Sequence, residues 1–256
     1  MKRRSLYGPR LKIQRAKDHI ADVREHVIKF LASNPWEMFT EAGPGNAEEC
    51  IKVRATVEPP GEIAIICGEA IYALRSSLDQ LACALAVQNG YSDPSDTYFP
   101  FAGSKPEFEA AVNRKKTSKL SPDAVSLIDS LQPYKGGNDL LWALNRLANT
   151  DKHRMLIPMA AANLGAQLQL TGRPLGTMEH TFKVPRKWQL LEPDATIFIY
   201  PAGMQFNGEI TVLTDISFRG VAPVAGQPVV AVLEQLADLT EGIIGIFEER
   251  FFESAL

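Results

Sequence analysis

A long apolar helix predicted in the first half of the chain constrains the fold more than any other feature. Over residues 62–88, apolar side chains recur every three or four positions, the spacing of one helix face. The stripe comprises Ile63, Ile66, Cys67, Ala70, Ile71, Leu74, Leu78, Leu81 and Leu85. It is wider than a surface helix needs, so we expect this helix in the middle of a helical bundle.

Five further segments have the pattern of helices. Asn34-Pro35 ends the first of them, because a residue before proline disfavours the helical conformation. Ser104 and Ser121 are expected N-caps, since a serine hydroxyl can accept a hydrogen bond from a free N–H at a helix start. The predicted helices cover residues 10–32, 104–115, 121–132, 138–150 and 227–252.

One strand pattern lies among these helices, and others follow them. Residues 49–58 alternate apolar and polar side chains, which is typical of a half-buried strand. A lone strand is not stable by itself, so we expect it to pair with a strand of the later, β-rich region. Candidate strands there cover residues 155–159, 166–171, 180–185, 195–200 and 209–218.

These elements predict an α+β protein, in which an N-terminal helical bundle is integrated with an antiparallel β-sheet and a C-terminal helix. The helix-rich part covers residues 1–154, the β-rich part residues 155–220 and the last helix residues 227–252. Because the strand at 49–58 would tie the two parts together, we expect residues 1–256 to form a single domain.

The composition narrows the class of protein. A net charge of −3 over 256 residues argues against nucleic-acid binding over the whole surface, but it allows a local basic patch. Cys50, Cys67 and Cys83 lie in apolar surroundings, so we expect free thiols. No apolar segment follows the basic N-terminus, and no run approaches the roughly 18 apolar residues of a membrane span. We expect a cytoplasmic protein that makes no membrane contact.

Four ionisable residues directly follow an apolar helix. These are Asp151, Lys152, His153 and Arg154, and Arg146 precedes His153 by seven positions. If the helix continues to position 153, Arg146 and His153 share one face. A histidine can transfer protons near neutral pH, and an arginine can bind a phosphate through two N–H groups. This R-x6-H spacing is similar to the R-x4-6-H motif of HEPN-type ribonucleases, which cleave RNA without metal.

The same residues have two interpretations. In the catalytic one, Asp151 orients the imidazole of His153, while Lys152 and Arg154 bind flanking phosphates. In the structural one, the three basic residues stabilise the C-terminal end of the helix through its dipole, and Asp151 joins His153 in a hydrogen-bond network. The sequence leaves both open.

A second charged pair lies on the long apolar helix. Arg75 and Asp79 are four residues apart, so they can pair, and both lie beside core positions. A partly buried ion pair needs further polar partners, which Asp151, His153 or Arg154 would supply. We therefore expect one polar site. The alternative is an ion-pair network that only locks two helices together.

Two segments resemble those of an uncharacterised bacterial family that pairs an NLRSALDHL-like helix with a DKHR-like segment. They are GEAIYALRSSLDQLA, starting at Gly68, and LWALNRLANTDKHR, ending at Arg154. In that family's helix, Arg75 and position 80 would form an R-x4-H pair, again the HEPN motif. This chain has Gln80 there, and glutamine cannot transfer protons. The resemblance implies a HEPN-like bundle in which His153 is the catalytic histidine, or a protein that is not a nuclease.

Two further groups of residues could bind ligands. His19, Asp22 and His26 share a helix face, as metal ligands would, but no fourth ligand is evident and a solvated face explains them as well. The basic run at 114–119 could contact phosphates, although such runs in loops are usually solvated. We expect neither a metal nor a cofactor.

Two functions fit these observations. One is a HEPN-like, metal-independent endoribonuclease in a toxin or phage-defence setting, with RNA as substrate. Its catalytic residues would be Arg75, Asp79, Arg146, Asp151 and His153. The other is a non-catalytic protein that binds a protein partner, a nucleic acid or a second copy of itself, with a purely structural polar network. A cleft containing His153 would favour the first function, and a buried, fully hydrogen-bonded His153 the second.

Overall fold

The computed structural model describes residues 6–45, 47–153, 158–172, 176–183, 188–190, 194–203 and 205–252. The helices are α1 (Tyr7–Ala32), α2 (Gly61–Gln88), α3 (Lys105–Glu109), α4 (Ala111–Lys115), α5 (Pro122–Ser130), α6 (Asp139–His153) and α7 (Val229–Phe251). The strands are β1 (Trp36–Ala42), β2 (Glu48–Ala55), β3 (Pro158–Gly172), β4 (Gly176–Lys183), β5 (Trp188–Leu190), β6 (Ala195–Pro201) and β7 (Gln205–Phe218). The chain is an α+β protein, as predicted.

The central helix is α2. Its apolar stripe is buried along the helix, and it packs against α1, α6 and α7. α1 runs antiparallel to it: the Ser77 hydroxyl donates to the Pro9 carbonyl at 3.0 Å, and, further along α1, His19 lies 3.5 Å from Glu69. Packing against three helices confirms the predicted place of this helix in the bundle.

Helix α7 lies antiparallel along α1. Its apolar side is buried in the same core as that of α1. Three ion pairs join the two helices: Arg10 with Glu248, Lys17 with Glu241, and Arg24 with Glu234. The pairs are seven residues apart on each helix, the spacing of a heptad seam. Exposed pairs each contribute only about 0–1 kcal/mol. The buried apolar side therefore holds α7 in place, and the ion pairs favour this register.

The single helix predicted over residues 104–115 is two short helices in the structure. Ser104 and Ser121 do cap α3 and α5, each by accepting a hydrogen bond from a backbone N–H of the first turn. Ala110, however, is extended, with φ −65° and ψ 147°. The prediction of one helix is wrong because one extended residue interrupts the backbone without changing the pattern of side chains.

The strand predicted over residues 49–58 is β2, which pairs antiparallel with β6. Glu49 lies opposite Tyr200, and Ile51 lies opposite Phe198. The predicted pairing between this strand and one from the β-rich region is confirmed. The single domain over residues 1–256 stays a prediction.

The strand β1, which the sequence did not predict, pairs with the other edge of β2. Its sequence, WEMFTEA, does not separate apolar from charged side chains. Phe39 lies on the same face of the strand as Glu37 and Glu41. The Arg54 guanidinium of β2 lies 4.6 Å from the Phe39 ring centroid. A strand without clean alternation gives no period-two signal, so only the pairing with β2 identifies it.

The longest strand, β3, replaces two predicted ones. The sequence suggested separate strands at 155–159 and 166–171, but β3 is continuous and pairs along nearly its whole length with β7. β4 and β5 pair with different stretches of its other edge. The Ala, Asn and Gly residues that suggested a break have low strand propensity, which an adjacent strand can override. Residues 155–157, 184 and 185 lie outside the described residues.

The three cysteines are free thiols, as predicted. Burial raises the pKa of Cys67 to about 12, with a smaller contribution from the charge of Asp151. This thiol therefore stays protonated near neutral pH, where thiols are poorly reactive. Among the described residues, no helix is both long enough and apolar enough to cross a membrane.

Candidate functional site

The candidate residues lie on two neighbouring antiparallel helices, α2 and α6. Arg75 Nε on α2 donates a hydrogen bond to Asn145 Oδ1 on α6 at 3.3 Å. About two turns earlier on α2, Gly68 lies against the Asp151 carboxylate near the end of α6. Contacts at two levels, roughly 10 Å apart along α2, hold α6 along α2.

The guanidinium of Arg75 is occupied on several sides. It forms an ion pair with Asp79, one turn later on α2, in addition to its hydrogen bond with Asn145. The Phe101 ring covers one of its faces, with the ring centroid 4.4 Å from Cζ. Only 17% of the Arg75 side chain is exposed. Arg75 would have to give up a partner in order to bind a phosphate with both of its N–H edges.

Asp79 is held by the chain segment that follows α2. One carboxylate oxygen accepts a hydrogen bond from the Phe99 N–H at 3.0 Å, and the other pairs with Arg75. The Lys116 amine is also close to Asp79. Burial and the charge of Arg75 lower the pKa of this amine, and the charge of Asp79 partly offsets the effect. One carboxylate therefore faces two cations, and its loss would leave them unbalanced.

Asp151 lies at a different place, against Gly68. A Cβ atom added to Gly68 would lie 2.6 Å from both carboxylate oxygens, closer than such atoms ever approach. Burial raises the pKa of the Asp151 carboxyl above its usual value. Positions 151 and 153 are about 200° apart around a continuous helix. Asp151 therefore lies on the side of α6 opposite to position 153, and this placement gives no support to its orienting an imidazole there.

The single polar cluster expected from the sequence is described only in part. The contacts join Arg75 to Asp79, and they place Asp151 about two turns away along α2. The side chains of Lys152 and His153, and all of Arg154, lie outside the described residues. A contact between the Arg75–Asp79 pair and His153 or Arg154 therefore stays a prediction.

The outer side of α6 carries a second candidate surface. The helix continues to His153, so Arg146 and position 153 share a face, nearly two full turns apart. Arg146 and Asn149 are exposed on this face. Trp142, one turn before Arg146, is partly buried, and Lys135 Nζ lies 5.6 Å from its ring centroid. We call the stripe of Trp142, Arg146 and Asn149, with Lys135 beside it, the outer face of α6.

The two histidines considered as metal ligands on α1 have other partners. His19 is buried, with its Nδ1 3.5 Å from Glu69 Oε2 on α2. The Nδ1 atom of His26 lies 2.9 Å from the Asp22 carbonyl oxygen, one turn back on the same helix. In the described part of the chain, no group of three His, Cys, Asp or Glu residues could hold a metal ion.

Several cations of the basic run at 114–119 interact within the fold. Arg114 pairs with Asp129 at 2.6 Å, and Lys119 Nζ donates to the Asp93 carbonyl oxygen at 3.0 Å. Lys116 lies close to the Arg75–Asp79 pair, as described above. With three of its cations used in this way, the run offers little free charge to phosphates.

The contact between Gly68 and Asp151 predicts an unusual effect of a glycine-to-alanine change. Alanine normally stabilises a helix interior by about 1 kcal/mol relative to glycine. At Gly68 the added methyl group would collide with the Asp151 carboxylate, and such overpacking costs about 1–3 kcal/mol. We expect Gly68→Ala to lower the free energy of unfolding by up to about 2 kcal/mol instead of raising it, as measured by urea denaturation.

Gly242 in α7 is the matched control, because an added Cβ there meets nothing within 4 Å. Gly242→Ala should raise the stability by up to about 1 kcal/mol. Adding Asp151→Ala to Gly68→Ala should recover stability, since the colliding oxygens are gone. Equal stabilisation by the two single alanine variants would show that α6 does not pack on α2 in this way.

Three residues of these surfaces gave only weak sequence signals. Gly68 is a glycine inside an apolar helix, a costly choice that often indicates close packing. Asn145 interrupts the apolar pattern directly before Arg146, and Trp142 is a large aromatic residue on the polar side of the same helix. Each signal identifies an unusual residue, but none identifies the residue that it contacts.

Comparison with known proteins adds no relative. No family model matches the chain, and no curated protein and no solved structure matches it. The chemistry of this chain's own residues is therefore what indicates its function.

Proposed function

We propose that this protein is a metal-independent endoribonuclease that acts at the outer face of α6. The observation that carries the proposal is the unbroken course of α6 to His153, which gives that position the same face as the exposed Arg146. Trp142 and Asn149 share this face. An aromatic ring, an amide and a guanidinium are the groups with which proteins bind the bases and phosphates of RNA.

The chemistry needs proton transfer and charge neutralisation, but no metal. The 2′-hydroxyl of one ribose attacks the adjacent phosphorus, and the bond from phosphorus to the 5′-oxygen of the next nucleotide breaks. A base takes the proton of the 2′-hydroxyl, and an acid returns one to the 5′-oxygen. His153 is suited to both steps because histidine titrates near neutral pH. Arg146 would bind the phosphate oxygens, with Lys152 and Arg154 on flanking phosphates.

Arg75, Asp79 and Asp151 have a different role in this proposal. Arg75 and Asp79 fix α6 on α2 through Asn145, and Asp151 does so through Gly68. They are positioning residues, which hold the outer face of α6 in place but do not touch the substrate.

A second candidate is a protein that binds a partner or a nucleic acid without cleaving it. The occupied guanidinium of Arg75 favours this function, because its partners Asp79, Asn145 and Phe101 are those expected of a purely structural network. In this case the outer face of α6 would bind RNA but would not react with it.

Incubation with total RNA in EDTA tests the proposal. We expect cleavage products with 2′,3′-cyclic phosphate and 5′-hydroxyl ends. DNA of the same sequence should stay intact because it has no 2′-hydroxyl. Total RNA that remains uncut from about pH 5 to about pH 9, a range that spans histidine titration, would rule out the endoribonuclease. RNA binding by the same uncut sample would support the second candidate.

A further inference from the structure

An exposed tyrosine with a lysine beside it lies on α2, next to the outer face of α6. Tyr72 is 57% exposed, and Lys12 Nζ on α1 lies 5.7 Å from its ring centroid. Trp142 on α6 has the same arrangement with Lys135, at 5.6 Å. Two neighbouring helices therefore each present an aromatic ring with an ammonium group over one face, which leaves the other face for stacking.

The packing of α2 against α6 puts both rings on one side of the bundle. The helices are antiparallel, and the contacts of Arg75 with Asn145 and of Gly68 with Asp151 bring Tyr72 level with residues 147–148 of α6. Tyr72 lies about 40–60° around α2 from Gly68 and Arg75, and Trp142 lies about 60° around α6 from Asn145 in the same rotational sense. On antiparallel helices, rotation in the same sense away from the contact leads to the same side. From the helical rise and an interaxial distance of 8–10 Å, the two rings are on the order of 10–15 Å apart.

We propose that Tyr72 and Trp142 are stacking platforms for unpaired bases of a single RNA strand that crosses from α6 to α2. This inference rests on the proposed function and names the form of its substrate. Stacking on aromatic rings requires unstacked, accessible bases, which single strands offer and duplexes do not. The strand's phosphates would lie against Lys12, Lys135 and Arg146.

The charges around the two rings complement a polyanion. Lys12, Lys135 and Arg146 supply three positive charges on this side. Two carboxylates lie one turn before the rings. Glu69 precedes Tyr72 and faces His19 at 3.5 Å, and the exposed Asp139 precedes Trp142 and accepts a hydrogen bond from the Gly136 N–H at 2.8 Å. An overall charge of −3 confines RNA binding to such a local surface.

Fluorescence anisotropy with a fluorescein-labelled 2′-O-methyl RNA 20-mer tests this inference, since a strand without a free 2′-hydroxyl cannot be cleaved. We expect Tyr72→Ala to weaken its binding between about fivefold and a hundredfold, the range for loss of one stacked base. Tyr72→Phe should keep wild-type binding because the ring remains. The matched control is Tyr91→Ala, which removes a tyrosine that is 44% exposed beyond the end of α2.

Lys12→Ala should reduce the slope of log binding constant against log salt by about 0.7, the value for one phosphate contact on a single strand. Lys29→Ala, at the far end of α1, should leave the slope unchanged. The same strand annealed to its complement should bind more weakly than the single strand. Thermal melts check that each variant folds.

Equal binding by Tyr72→Ala and Tyr91→Ala, or equal binding of single strand and duplex, would overturn the inference even if the protein cleaves RNA. Binding that depends on Tyr72 in a protein that leaves RNA uncut would support the inference and refute the endoribonuclease. If neither probe binds, the inference is also overturned, and a protein partner becomes the better candidate for this surface.

Discussion

Replacing His153 with alanine should abolish RNA cleavage in EDTA and leave the protein folded. A positioned acid or base contributes about 10²- to 10⁴-fold to a rate. Loss of a residue that serves both proton transfers should therefore slow cleavage by about 10⁴-fold or more. The measurement is the initial rate of cleavage of a labelled single-stranded RNA, alongside a thermal melt of each variant. Arg146→Lys should retain binding but lose rate, because lysine cannot replace the two-pronged contact of arginine with phosphate.

The two histidines of α1, His19 and His26, supply the controls. His26→Ala should cleave at the wild-type rate, because His26 lies on α1 and its Nδ1 atom is 2.9 Å from the Asp22 carbonyl oxygen of the same helix. His19→Ala should also remain active, but its buried side chain makes the thermal melt essential to this comparison. Undiminished cleavage by a folded His153→Ala protein would exclude this residue as the catalyst.

Asp79→Asn should destabilise the fold by about 2–3 kcal/mol. The change keeps an acceptor for the Phe99 N–H but removes the negative charge that faces Arg75 and Lys116. Breaking a fully buried ion pair costs about 3–5 kcal/mol. We expect somewhat less here because 17% of the Arg75 side chain and 30% of the Asp79 side chain are exposed. For a chain of this size, the melting temperature should fall by roughly 5–10 °C.

Two comparisons separate this effect from the ordinary loss of a surface charge. Glu37→Gln breaks the pair with Arg54, whose side chains are 49% and 47% exposed, and should cost less than about 1 kcal/mol. In an Arg75→Met background, Asp79→Asn should cost much less than in the wild type, because the main unpaired cation is gone. Equal costs for Asp79→Asn and Glu37→Gln would mean that the Arg75 network does not hold α2 and α6 together.

Part of the candidate site could be predicted from the sequence. The pairing of Arg75 with Asp79 follows from their four-residue spacing, and the shared face of Arg146 and position 153 follows from the length of α6. The hydrogen bond between Arg75 and Asn145 could not be predicted, because the two residues are 70 positions apart in the chain. Which residue of α6 meets Arg75 depends on how far α6 is shifted along α2.

The sequence by itself determined the long helices α1, α2, α6 and α7, the free thiols and the need of β2 for a partner strand. Periodicity and alternation are local properties, and the burial of an apolar stripe does not depend on which element covers it. Only the tertiary structure decided that β1 forms on β2, that β3 is continuous along β7, and that Asp151 meets Gly68. These outcomes depend on the relative positions and rotations of elements distant in the chain, which no local pattern specifies.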